Sequence, residues 1–184
     1  MKIKELPSQE YLHKCFDYDE ETGELTWKVR PLEHFKNTRC FNAWNVKNSN
    51  RKAGTVQTRG YVSVKIDGIR YRVHRVVYKY VHGVDPNHID HINFNTSDNR
   101  ICNLRSCTHT QNHQHSKTQV NNTTGFKGVN IVKRKGSVKY LSRITINSNR
   151  IVLGYFNDAE TAYAAYHKAA TEHFGEFAHF DEEI

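Results

Sequence analysis

The chain has 184 residues, enough for one medium or two small domains, and two are expected. Its 27 Lys and Arg outnumber 19 Asp and Glu, for a formal net charge of +8, so a polyanion is the first partner to consider. Nucleic acid fits better than membrane: no run approaches the roughly 18 apolar residues of a spanning helix. The opening Met1-Lys-Ile-Lys-Glu-Leu-Pro7 also lacks the apolar stretch of a secretory signal, so a soluble, cytoplasmic protein is expected. Four scattered cysteines, Cys15, Cys40, Cys102 and Cys107, argue against a disulfide framework.

The first element is a short amphipathic helix over residues 8–16, followed by a hairpin around 19–24 into a strand at 25–29. Residues 31–53 are polar, without apolar periodicity, and read as a basic, mobile loop. Two alternating runs, 61–66 and 69–73, flank Asp67-Gly68, the pair expected at a tight hairpin turn. Val76, Val77, Tyr80 and Val81 then recur at helical spacing, and Gly83 with Pro86 ends that helix.

Directly after it stands Asn87-His-Ile-Asp-His-Ile-Asn93, then Asp98-Asn-Arg-Ile-Cys-Asn-Leu-Arg105 and Thr110-Gln-Asn-His113. Phosphodiester hydrolysis needs an activated water, a cation to neutralise phosphate charge, and ligands that leave that cation open positions. Asp90 and His91 are adjacent, so on a strand they face opposite ways, and the strand must end or bend there for both to serve one substrate. Residues 103–107 read as a returning strand, and Thr108 or Thr110 as the cap of a helix bearing Asn112. A carboxylate and an amide carbonyl suit one hard divalent cation, Mg²⁺ or Mn²⁺. His88 shares a strand face with Asp90 and could contact phosphate or metal, though packing or indirect support is its expected role.

These residues resemble the HNH endonucleases of the phage and homing type, whose pattern is Asp-His, a loop, Asp-Asn-Arg, Asn-Leu-Arg and then Asn on the next helix. The likeness covers about residues 1–116 and includes His74-Arg75 at the start of the preceding helix. It implies a ββα-metal (His-Me finger) site in which His91 is the general base, Asp90 and Asn112 hold one divalent ion, and Asn103 braces the loop presenting His91. It also implies cleavage of double-stranded DNA to a 5′-phosphate and a 3′-hydroxyl, in a bacterial or phage-infected host cell. Any one of these residues alone would more simply be a surface or capping group; the case rests on their joint spacing. Cys102, Cys107, His109 and His113 lie close together, but the spacing lacks the short Cys-x-x-Cys pairs of a structural zinc site, and small buried side chains are the simpler reading of the cysteines.

A polar run at 118–124 reads as a linker, giving domains 1–117 and 125–184. Three strands follow, at 128–132, 138–146 and 150–156, then an alanine-rich helix capped by Asp158 and stopped by Gly175. The fold class is therefore α+β: a ββα-metal domain followed by a three-stranded antiparallel sheet packed on one helix. Between Phe126 and Arg150 lie seven basic residues, Lys127, Lys133, Arg134, Lys135, Lys139, Arg143 and Arg150, and no acid, while the acids gather beyond Asp158. One cationic face points nucleic acid at the sheet.

Phe126-Lys-Gly-Val129, Leu153-Gly-Tyr-Phe156, Ala159-Glu-Thr-Ala162 and Ala164-Ala-Tyr-His-Lys-Ala-Ala170 resemble the ethylene-response-factor (Apetala-type) DNA-binding domain, over about residues 122–181. The resemblance implies Lys127, Asn130, Arg134, Arg143, Thr145 and Arg150 as the DNA-facing set, with Leu153, Phe156, Ala162, Ala165, Tyr166 and Ala169 between sheet and helix. Asn130, Arg134 and Val152 depart from the plant members, so no plant target sequence carries over. Phosphate anchoring by Lys133 and Lys135 is a safer expectation than base reading. The whole reads as a metal-dependent, site-preferring endonuclease, a monomer that nicks or a homodimer. A DNA-binding regulator on a nuclease-like scaffold is the alternative, and an RNA binder that stacks bases on its tyrosines and phenylalanines comes third.

Overall fold

In the computed structural model the described residues are 5–58, 60–134 and 136–180, the side chain of Arg134 excepted. The chain divides into two compact units, residues 1–107 and 108–184, ahead of the polar stretch expected to separate them.

In the first unit, helix α1 (Gln9–Cys15) is capped by the Ser8 side chain, which accepts from the Tyr11 amide. Strands β1 (Phe16–Asp19) and β2 (Glu24–Trp27) form an antiparallel hairpin. Helix α2 (Thr38–Asn48) and the two-residue strand β3 (Lys52–Ala53) follow, β3 completing a sheet in the order β1-β2-β3. A second sheet runs β4 (Thr55–Val56), β5 (Val62–Ile66) and β6 (Ile69–Arg72), the Asp67-Gly68 turn falling where expected between the last two. Helix α3 (Val73–His82) buries Val73, His74, Val76 and Val77 on one face and ends on Gly83, whose φ of 74° is left-handed. Strands β7 (His88–His91) and β8 (Leu104–Cys107) close the unit as an antiparallel pair. Leu12, Phe16, Leu25, Ile66, Val76 and Val77, each at most 1% exposed, form the centre of one core.

The segment at 31–53, expected to be a loop, contains α2. Its apolar pattern is weak because polar contacts hold it. The Asn45 amide accepts from the Arg30 amide at 2.9 Å and donates to the Arg30 carbonyl at 3.0 Å, while Asn37 caps the helix through the Cys40 amide. Trp44 packs edge-on against Trp27, ring centres 4.9 Å apart. Arg30 itself is buried among Tyr11, Trp27, Phe35 and Trp44, and its guanidinium donates to the Tyr11 hydroxyl and to Asp67, both at 2.7 Å. One residue thereby ties α1, α2 and the β5–β6 turn together.

The second unit comprises α4 (His109–Gln114), β9 (Val129–Arg134), β10 (Ser137–Ile146), β11 (Asn149–Phe156) and α5 (Ala159–Phe174). The strands form an antiparallel sheet in the order β11-β10-β9. Ile144 packs with Tyr166, Ala170 and Phe174 of α5, flanked by Leu153 and Ala169; Ala162 is fully buried, whereas Ala165 and Phe156 are half-buried. Gly128 allows the Tyr166 ring to approach: a Cβ there would lie 2.1 Å from it. The polar run at 118–124 is tied into this unit, since Asn122 donates to the Phe126 carbonyl and the Thr124 hydroxyl donates to the carbonyls of Phe126 and Val129.

Replacing Arg30 with lysine keeps the charge but loses the planar fork and the stacking. Urea unfolding of Arg30→Lys is expected to show about 1.5–3 kcal/mol less stability than the parent.

Candidate active site

Strand β7 stops at His91, whose carbonyl accepts from the Phe94 amide at 3.0 Å. The turn beyond is built on Asn103. Its side chain accepts from the Asn93 amide and donates to the Asp98 carbonyl, both at 2.9 Å, and its backbone carbonyl accepts from Ile92 at 2.9 Å. Three bonds from one buried residue thus close the loop at 92–98 and return the chain into β8.

The N-terminal hairpin clamps the far side of this loop. The Tyr18 hydroxyl accepts from the Ile101 amide at 2.8 Å and donates to the Asn99 carbonyl at 3.1 Å. Gly23 makes room for it: a Cβ there would sit 2.4 Å from the Arg100 nitrogen. Arg100 in turn bonds Asp98, holding that carboxyl down to about 2.

Asp90 and His91 take opposite faces of β7. Asp90, 8% exposed, pairs in register with Arg105 on β8, and Oδ2 accepts from Arg105 Nε at 3.0 Å and Nη2 at 2.8 Å. His91, 5% exposed, faces the core side, where its ring lies 5.0 Å from that of His74 and 6.0 Å from that of Tyr61. Its Nε2 is buried without a hydrogen-bond partner, as are His74 Nδ1 and Asn99 Oδ1. Burial pushes the His91 pKa below the ordinary imidazole value, against the opposing pull of the Asn99 side chain and of Asp90 and Asp98. Burial drives His74 further, to about 3, with His91 and the nearby arginines acting in the same direction.

Asn112, the other expected ligand, is exposed on α4 in the second unit. Thr108 caps that helix: its side chain accepts from the Gln111 amide, while Gln111 Oε1 accepts from the Thr108 amide at 2.7 Å. His88 pairs with Cys107 and is half-buried.

In the second unit the strand register brings the expected DNA-facing residues together. Arg143 pairs with Val152, Thr145 with Arg150 and Leu141 with Asn130, so Asn130, Arg143, Thr145 and Arg150 share the sheet face opposite Ile144 and α5. Position 134 falls on the same face of β9, two residues beyond Val132, which pairs with Lys139. Lys127 precedes the sheet, and its ammonium donates to the carbonyls of Gln114 at 2.7 Å and Ser116 at 2.5 Å. A cleft of about 540 Å³ is lined by Lys127, Asn130, Arg143, Thr145 and Arg150, by residues 116–119 and 121–123, and by Ile144, Tyr166 and Phe174 of the sheet–helix core. Lys133 is exposed at the end of β9, and Lys135 lies outside the described residues.

Residues 71–114 match the family model described as HNH endonuclease. The chain is also 36% identical over 101 residues to a protein of Acanthamoeba polyphaga mimivirus named as an uncharacterized HNH endonuclease, an alignment covering 49% of this chain and 25% of that protein. The chain therefore spans about a quarter of the length of the relative it matches. No solved structure matches. The matched HNH segment contains His74, the β7–β8 pair and α4.

Among the described residues no three His, Cys, Asp or Glu side chains gather into a metal site. Asp90 is a buried carboxylate, a hard oxygen donor of the kind a divalent ion takes, and it is paired with Arg105 in this structure. Among the described residues no helix is long and apolar enough to cross a membrane. The sequence reading assigned no role to His74, Tyr61, Asn99 or Arg105. Asn99 and Arg105 stand inside the quoted motif, whereas Tyr61 carries no local signal because only the packing of β5 against α3 brings it near His91.

Because His74 titrates near 3 in the fold and near 6.5 in a free chain, the unfolded state binds more protons between those values, and stability falls as the pH drops through that window. In denaturant titrations at stepped pH, His74→Phe is expected to remove this share of the acid destabilisation and leave the stability at pH 8 less changed.

Proposed function

We propose that the chain is a metal-dependent DNA endonuclease of the HNH type, cutting a phosphodiester to leave a 5′-phosphate and a 3′-hydroxyl. The observation that carries this reading is the end of β7. Asp90 and His91 are its last two residues, on opposite faces and both buried, with one His91 nitrogen unpartnered and the following loop braced by Asn103.

His91 takes a proton from the attacking water through its open ring nitrogen. Asp90 and, by the family resemblance, Asn112 would hold one Mg²⁺ or Mn²⁺. Such an ion, when bound, offsets the charge on the phosphate and stabilises the departing 3′-oxygen. Asn103 keeps the His91 backbone in place through the loop it closes. Arg143, Thr145, Arg150 and Asn130 meet the DNA from the open face of the second unit, with Arg134 and Lys127 in support; an Apetala-type reading of this sheet is part of the proposal. Two linked DNA-binding units raise the local concentration of the cutting site at its target, so modest contacts in each half suffice for site preference. One such site per chain implies nicking by a monomer and double-strand cutting by a homodimer, in a phage-type or homing setting.

A second reading draws on Arg105, which occupies the carboxylate expected to bind the ion. In that reading the first unit is a scaffold and the protein a DNA-binding regulator. Supercoiled plasmid with Mg²⁺ or Mn²⁺ separates the two: the nuclease reading expects nicked circles, lost by about 10²–10⁴-fold in His91→Ala and in Asp90→Asn or Asn112→Ala through weakened ion binding. Binding without cleavage in either ion would leave the regulator standing. Separately, Arg143→Ala with Arg150→Ala is expected to weaken DNA affinity in a gel-shift assay and to flatten its salt dependence, with metal affinity by calorimetry unchanged.

A further inference from the structure

His74 is a buried titratable side chain to which the proposed chemistry assigns no part. It is the second residue of α3 and 9% exposed, and its Nδ1 is buried with no hydrogen-bond partner. Space-filling alone does not call for histidine here. Val73, Val76 and Val77 fill the same helix face with no polar atom to strand, and an apolar side chain at 74 would do likewise. What the imidazole does have is a near-perpendicular contact with the His91 ring: centres 5.0 Å apart, planes at 82°. Tyr61 closes the arrangement, 5.6 Å from His74 and 6.0 Å from His91.

His91 needs such support. Asn103 and the β8 register fix its backbone, but the torsion that turns an imidazole about its Cβ–Cγ bond is broad and roughly two-fold. The Asn99 side chain bears on the His91 ring, but the buried Nε2 itself has no partner, so one edge of the ring is left without a hydrogen bond.

We propose that His74 is a positioning residue for His91, its ring and that of Tyr61 fixing the His91 ring plane so that the unpartnered nitrogen keeps one direction. The inference rests on the nuclease reading for its catalytic consequence, but its structural half stands apart from it. The contact is near-perpendicular, the geometry favoured when the edge of one ring meets the face of another. A phenylalanine at 74 preserves that contact and no hydrogen-bonding capacity; a leucine fills the space and preserves neither.

The test uses the full chain with His74→Phe, His74→Leu and His74→Ala. In plasmid nicking, His74→Ala and His74→Leu are expected to lower kcat about 10- to 100-fold with KM within about twofold, and His74→Phe to recover most of the loss. In metal-free protein at fixed pH, the ¹H–¹³C resonance of His91 Cε1–H is expected to move and broaden in the leucine and alanine variants and to stay close to the parent in His74→Phe. A folded His74→Leu protein with an unmoved His91 resonance, or with kcat within about twofold of the parent, overturns the inference. If the parent cuts no DNA with either ion, the nuclease reading fails on its own, and the resonance still decides whether His74 positions His91. If His74→Ala does not fold, His74→Leu carries the comparison.

Discussion

The first unit depends on a single amide. Asn103 bonds the chain at Asn93 and at Asp98, and its own carbonyl receives Ile92, so the loop between β7 and β8 has one permitted shape. Asp90 and His91 take opposite faces of β7, as adjacent strand residues must, but the closure ends the strand at His91 and turns the polypeptide away, leaving both at one strand terminus. A neutral amide suits this position because it donates and accepts at once, satisfying both a backbone N–H and a backbone carbonyl that the turn would otherwise strand.

The rest of the unit is arranged to support that turn at some expense in polar burial. Tyr18 and Gly23 of the first hairpin press against residues 99–101, and Ser97 donates to the Gly60 carbonyl at 2.5 Å. Unpartnered nitrogens or oxygens remain on His74, His91 and Asn99, all within the matched HNH segment. Native interiors leave few such atoms, and in this unit these three fall within one matched segment. The Arg30 cluster is the contrast. There a buried cation has its donors directed at Tyr11, His34 and Asp67 and its faces covered by aromatic rings, an arrangement that serves packing alone.

In the second unit the organising constraint is strand register. Because side chains alternate along a strand, the pairing of Thr145 with Arg150 and of Arg143 with Val152 sends the cationic residues to one face and Ile144 to the other. The run from Thr118 to Thr124 looked like a spacer for want of apolar periodicity, yet its side chains bond the backbone near the start of β9. Polar segments hide such roles in a sequence because hydrogen bonds to the backbone have no characteristic spacing.

Much was legible residue by residue. Asp67-Gly68 marked its hairpin, Gly83 its helix end, and Asp158 with Gly175 the limits of α5, because each depends on a backbone preference acting over a few neighbours. Asp90, His91 and Asn103 stood out by spacing as candidates because the elements joining them are short. Helix α2 did not, since Asn45 and Trp44 hold it through Arg30 and Trp27, partners distant in the chain. The sequence by itself determined the elements that local turn and cap signals mark and the spacing of the HNH-like residues. Only the tertiary structure decided that Arg105 would sit on Asp90 and that His74 and Tyr61 would edge the His91 ring, because ring contacts and ion pairs across a sheet depend on register and packing, and these arise once distant segments meet.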